Sequence, residues 1–198
     1  MKLYYFADGC SLATHIAMRE AGMEFEIEEV DVQTRLTRSG RPFPEINAKG
    51  YVPALVFDDG SMLTENVALL DWVAQQSASL KPDEGMPRTR QTEALAFIST
   101  EMHKPYLSLF FLPGDEAKPI LTGAIQGRFA HLAAGLGDDY LLGDRFSVAD
   151  AFLYVMLRWA VMSKMSVPDR FASYVARIET RPAVQAALAA EGVQTIAA

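Results

Sequence analysis

The chain has 198 residues, enough for one domain or two small ones. Half of its residues are hydrophobic and 22% are charged, as in ordinary soluble globular proteins. A net charge of −7, with 18 basic residues that form no run, argues against a nucleic-acid binder, because a phosphate backbone calls for clustered Lys and Arg. The single cysteine excludes an internal disulfide and points to a reducing cytoplasm. Three His and one Cys lie too far apart in sequence to match a metal-ligand spacing, so no metal is expected. The apolar stretch in MKLYYFADG is too short for a signal peptide. The most apolar segment, 148–165, is interrupted by Asp150, Arg158 and Lys164. A membrane span needs roughly 20 mostly apolar residues, so this segment reads as a buried helix.

In chain order, residues 2–6 (KLYYF) are short, aromatic and followed by a turn-prone Ala-Asp-Gly, which predicts a strand. Residues 11–21 place Leu12, His15, Ile16 and Arg19 at helical spacing, with Gly22 as the C-terminal cap. Residues 25–32 alternate as Phe25 and Ile27, then shift phase to Val30 and Val32, a strand with room for a bulge. Residues 33–50 carry Gly40, Pro42, Pro44 and Gly50 and predict a loop with at most short helical pieces. Residues 54–57 and 61–64 flank Asp58-Asp59-Gly60 as a hairpin, and a helix follows from about 66 to 76. The order is β-α-β-loop-β-β-α, with the first two strands parallel through a right-handed crossover and the last two antiparallel. Residues 78–87 read as a linker between a mixed α/β domain at 1–77 and an all-α domain at 88–198. In the latter, helices are expected at about 88–111, 119–136, 147–164, 168–180 and 182–190, with Ser147 and Asp150 shaped as a capping box.

Four places carry candidate chemistry. Cys10 follows a strand and a glycine and opens a helix. Free Cys is usually buried, but a helix N-terminus favours an anion and lowers a thiol pKa. The same N–H groups would equally serve the sulfur of a ligand, and Ala13 excludes a Cys-x-x-Cys pair. Tyr51-Val52-Pro53 brings a proline to a strand start. Spacing alone favours an ordinary trans bond there, whereas a cis bond would open the backbone of Val52 to an extended peptide. Glu65-Asn66 joins a strand to a helix, where capping is the simpler reading and a site for a zwitterionic amino-acid terminus the functional one. His103, beside Lys104, acts chemically only if it faces Cys10 across a cleft; His15 and His131 read as structural.

These points coincide with a family. KLYYFADGCSLATHIAMREAG at the start, INAKGYVPAL at 46–55, LTENVALLDWV at 63–73, EMHKPY at 101–106 and LLGDRFSVADAFLYV at 141–155 resemble a bacterial glutathione S-transferase, most like the cysteine-containing beta class. The resemblance spans essentially the whole chain. It implies a thioredoxin-like N-terminal domain, a helical C-terminal domain and a cis bond before Pro53. It implies that Tyr51, Val52 and Pro53 border glutathione, with the Val52 backbone pairing with its cysteinyl part. Glu65 and Asn66 correspond to the family's Glu-Ser pair for the γ-glutamyl end, Asn66 being a departure. Arg35 stands where the class often has a Lys near a glutathione carboxylate. Ser11 follows the cysteine, and His103 and Lys104 match a His-Lys pair whose His lies near the glutathione sulfur. The resemblance further implies a cytoplasmic, detoxifying homodimer.

The leading expectation is conjugation of the glutathione thiol to a small hydrophobic electrophile, with Phe110, Phe111, Tyr106 and Trp159 as candidate pocket walls or, alternatively, core. Thiol–disulfide exchange through Cys10 and a non-catalytic binding role on the same fold are the alternatives.

Overall fold

The computed structural model describes residues 1–197. Strand β1 (Lys2–Tyr5) leads into helix α1 (Ser11–Glu20), and β2 (Glu26–Glu29) follows. A single-turn helix α2 (Phe43–Ile46) precedes the hairpin β3 (Ala54–Val56) and β4 (Met62–Thr64), and α3 (Asn66–Gln76) closes the first half. The sheet order is β2-β1-β3-β4. Lys2 pairs with Glu26 in the parallel ladder and with Val56 in the antiparallel one, and Leu55 faces Leu63 across the hairpin. This is the mixed sheet and the order of elements that the sequence predicts.

The second half comprises α4 (Met86–Phe97), a π-helical stretch (Ile98–His103), α5 (Lys104–Phe111), α6 (Lys118–Gly135), α7 (Val148–Met162), α8 (Arg170–Glu179) and α9 (Pro182–Glu191). The regular helix expected over 88–111 is therefore corrected. It starts at Met86, and the wider i→i+5 winding of the π stretch re-aims the side chains that follow it. The long second strand is corrected too. Regular pairing ends at Glu29; Val30 still donates to Tyr5 C=O and makes one bridge to Thr37, and then Asp31 Oδ1 accepts the Gln33 and Thr34 N–H groups and turns the chain away.

Helix α7, apolar but for Asp150 and Arg158, is buried from Val148 to Ala160, which places it at the centre of the helical half. Its capping box is formed: Asp150 Oδ2 accepts from Ser147 N–H at 2.8 Å and from its hydroxyl at 2.6 Å, while Oδ1 accepts from Leu141 N–H at 2.7 Å and Tyr174 OH at 2.8 Å. Just past the end of α1, Gly22 has a φ of 66°, which suits glycine and lets Met23 N–H reach back to Met18 C=O. One apolar core runs unbroken from Leu3 and Leu55 of the sheet, through Leu12 and Ile16 of α1, to Leu153 and Leu157 of α7. Tyr4, Val30, Phe43 and Ala54 form a smaller cluster apart from it.

His15, at the heart of α1, is fully buried. Arg19 Nε donates to its Nε2 at 2.9 Å, so its proton sits on Nδ1 and is donated to Glu191 Oε1 at 2.8 Å. Burial pushes the Glu191 carboxyl up, with His15 pulling against that. The interaction ties α1 to the end of α9, in keeping with a structural role.

Candidate functional site

A cleft of about 700 Å³ lies between the two halves. Its floor is the turn from β1 into α1. Gly9 is required there, because a Cβ would stand 2.9 Å from the Phe6 carbonyl oxygen. Cys10 occupies the N-cap position of α1, half-buried, with Sγ 3.7 Å from Val52 C=O. The helix N-terminus does not lower this thiol on balance. Burial dominates and pushes the Cys10 thiol up to about 12, against the weaker pull of its own and the Ser11 N–H groups and of the Lys104 charge. Ser11 does not reach the cleft. Its side chain is fully buried, and its hydroxyl accepts from Phe6 N–H at 3.1 Å and donates to Phe6 C=O at 3.2 Å, stitching the turn shut.

One side wall comes from the segment before β3. The Val52–Pro53 bond is cis, as the resemblance implies and against the trans bond that spacing favours. The Val52 N–H meets no acceptor among the described residues, so this backbone presents an open edge to the cleft. Next to it, Glu65 has a φ of 71°, a conformation that a non-glycine residue adopts only under constraint. Its Oε1 accepts from Lys49 Nζ and from Tyr51 OH, both at 2.7 Å. The Lys49 ammonium first, then the Tyr51 hydroxyl, holds the Glu65 carboxyl below its ordinary range. Capping, the simpler reading of Glu65-Asn66, is thereby corrected: neither side chain caps α3. Asn66 Nδ2 donates to Cys10 C=O at 3.1 Å, and its Oδ1 accepts from Thr14 Oγ1 at 2.6 Å, so this side chain locks α3 to the start of α1. Arg35, exposed at the rim, reaches Gly50 C=O at 3.4 Å.

The opposite wall is helical. His103, at the end of the π stretch, is 9% exposed, and its Nε2 has no partner among the described residues. Its ring lies 5.4 Å from that of Trp159 and 5.6 Å from Phe152. Burial, helped by the Lys104 charge, lowers it from 6.5 to about 4, so it is neutral at pH 7. Lys104, Phe110, Phe111 and Trp159 line the same wall. Tyr106 does not: it is fully buried behind Trp159, with its hydroxyl toward Met165 Sδ at 3.6 Å, and belongs to the core.

The fold thus brings Cys10, Arg35, Tyr51, Val52, Pro53, Glu65, Asn66, His103 and Lys104 to one cleft and leaves Ser11 and Tyr106 outside it. Sequence reasoning missed Lys49, although a basic residue within INAKGYVPAL was the available signal. It also missed Asp8 and Arg158, although a charge at 158 within the most apolar segment was an available signal for the latter. Among the described residues no group of three or more His, Cys, Asp or Glu is placed to hold a metal, and no helix is long and apolar enough to cross a membrane.

Comparison with known proteins extends the resemblance to full length. Residues 9–76 match the glutathione S-transferase N-terminal domain family, and residues 88–190 the glutathione S-transferase C-terminal domain family. The chain is 36% identical to glutathione S-transferase GstA of Escherichia coli O157:H7, over 98% of this chain and 100% of that one. A glutathione transferase structure from Methylococcus capsulatus str. Bath superposes with a TM-score of 0.91 at 45% identity, covering 96% of this chain and 98% of the other. A sphingomonad glutathione S-transferase complexed with glutathione does so with a TM-score of 0.87 at 39% identity, covering 98% and 100%. With the fold, the open Val52 edge and these relatives in agreement, the chain belongs to the glutathione S-transferase family and is a glutathione transferase.

Proposed function

We propose that this cleft binds glutathione along its floor and joins the glutathione thiol to a small hydrophobic, flat electrophile held against Phe110, Phe111 and Trp159. The observation that carries the reading is the continuity of one cleft from the open Val52 backbone to that aromatic wall. The cysteinyl part of glutathione pairs with Val52 N–H and C=O in the manner of an added strand. Glu65, already ionised and oriented by Lys49 and Tyr51, receives the γ-glutamyl ammonium. The N-terminus of α3 receives the neighbouring carboxylate, and Arg35 the glycine carboxylate.

The glutathione thiol has an ordinary pKa of roughly 8.5 and must ionise to attack. A His103 imidazole lowered to about 4 is too weak a base to hold that proton. Neutral and with its Nε2 buried, His103 serves as part of the cleft wall, while Lys104 and the first N–H groups of α1 supply positive potential to the thiolate. The thiolate then attacks the electrophilic carbon, the leaving group departs with the electron pair, and the thiol proton goes to solvent. A Cys10 thiol pushed up to about 12 supports this over disulfide exchange, which needs a thiolate on the protein. Cys10 serves as a neighbour of the bound sulfur. The resemblance supports a cytoplasmic homodimer in a detoxifying role.

The test is the steady-state rate of glutathione addition to an activated chloronitrobenzene, wild type beside Cys10→Ala. The wild type accelerates the reaction, and the variant keeps its rate within about threefold. No rate above background with several electrophiles refutes conjugation, and a variant reduced more than about a hundredfold makes Cys10 a participant.

A further inference from the structure

Asp8 stands two residues before Cys10 with a φ of 59°. A non-glycine residue keeps that left-handed conformation only where its surroundings impose it. Here each of its polar groups is held by the helical half. Glu191 Oε2 of α9 accepts the Asp8 N–H at 3.1 Å. Trp159 Nε1–H of α7 donates to the Asp8 carbonyl at 2.9 Å. The Arg158 guanidinium meets the carboxylate as a fork, Nε–H to Oδ1 and Nη2 to Oδ2, the latter at 3.0 Å.

Arg158 is 3% exposed and has little freedom of its own. Its Nη1 donates to Tyr154 OH at 3.1 Å and to Gln194 C=O at 2.8 Å. Asp8 and Cys10 also belong to one tightly wound turn, in which Gly9 N–H donates to Phe6 C=O at 2.9 Å and Ser11 is bonded to both polar groups of the Phe6 backbone.

We infer that Asp8 is a positioning residue, and that the grip of Arg158, Trp159 and Glu191 on it sets the Cys10 sulfur and the first N–H groups of α1 against the cleft. The catalytic part of this inference rests on the conjugation reading above. A latch between halves would serve anywhere along the interface; this one closes on the residue that aims the turn, and Trp159 is also a cleft wall.

The experiment uses the full chain. Arg158→Met alone strands a carboxylate and is expected to fold poorly. The informative variant is therefore the double Asp8→Gly/Arg158→Met, which removes both charges and puts at position 8 a residue at ease with φ near 59°. Three quantities are measured: Tm, the alkylation rate of Cys10 by iodoacetamide, and kcat and KM for glutathione. Cys10 is the only cysteine, so alkylation reports on the turn alone and needs no glutathione. The double variant should remain folded and alkylate about tenfold faster as the sulfur comes free of its buried setting. Its kcat should fall about tenfold with KM within about twofold, because Val52 and Glu65 are untouched. A folded double variant whose alkylation stays within about twofold of wild type overturns the inference, as does faster alkylation with unchanged kcat. A wild type that conjugates nothing would sink the conjugation reading, while the alkylation rates still report on the grip.

Discussion

Replacing Asp150 by Ala tests how much one buried carboxylate contributes to the helical half. Asp150 is fully buried and accepts four hydrogen bonds, from the backbone of Leu141 and Ser147 and from the hydroxyls of Ser147 and Tyr174. Burial pushes its carboxyl up, and these donors, Ser147 foremost, pull the other way. In the Ala variant the two hydroxyls can rotate to other acceptors, but the two N–H groups cannot. A stranded buried donor costs about 1–3 kcal/mol, so the two N–H groups, one of which is the capping-box bond, give about 4 kcal/mol in all. In a chain of this length each kcal/mol moves Tm by about 2–4 °C, so a fall of about 12 °C is expected. Asp150→Asn should lose less, because Oδ1 can still serve Leu141 and Tyr174 while the amide opposes only the Ser147 N–H. Urea unfolding followed by near-UV circular dichroism measures both. An Ala variant within about 1 kcal/mol of wild type would refute the account, since it would mean that water or repacking satisfies donors placed here in a dry core.

Two further outcomes follow from the site. His103 is held down to about 4 while an unfolded His titrates near 6.5, so between those values the unfolded chain binds the extra proton and stability is lost as pH falls. His103→Gln should flatten the stability–pH curve between pH 6.5 and 4 by up to about 1.4 kcal/mol per unit, and an unchanged slope in urea titrations would contradict the buried neutral imidazole. Glu65→Gln keeps the shape but removes the charge meant for the γ-glutamyl ammonium. Glutathione affinity measured by calorimetry should fall about tenfold, with Tm little changed because Lys49 and Tyr51 are exposed, and equal affinity would remove Glu65 from the binding proposal.

Much of this architecture was legible because it is written locally. The turn after β1, the Asp-Gly hairpin, the capping box of α7 and its mostly apolar run each leave a mark within a few residues. Facing is harder to read. Ser11 and Cys10 are adjacent, yet one helical step sends Ser11 under the turn and leaves Cys10 at the cleft. Tyr106 and Phe110 lie one turn apart on α5, but Tyr106 is buried beneath Trp159 while Phe110 stays at the surface, in a helix whose orientation follows from the π stretch before it. The thiol is a related case: sequence places Cys10 at a helix N-terminus but says nothing of the burial that pushes its pKa the other way. The contacts of Asp8 lay furthest out of reach, because Arg158 is 150 positions away and Glu191 is 183.

That separation has a consequence for biosynthesis. The ribosome releases β1 and α1 first, and the sheet can pair as soon as the hairpin emerges. Glu191, which holds both the Asp8 N–H and His15, belongs to the last turn of α9. Until that turn has left the exit tunnel, α1 lacks its partner for His15 and the turn before Cys10 lacks one of its three holds. A nascent chain can own a finished sheet and still have no finished cleft, so a change that removes Glu191 would be felt at the turn before Cys10, far away along the chain.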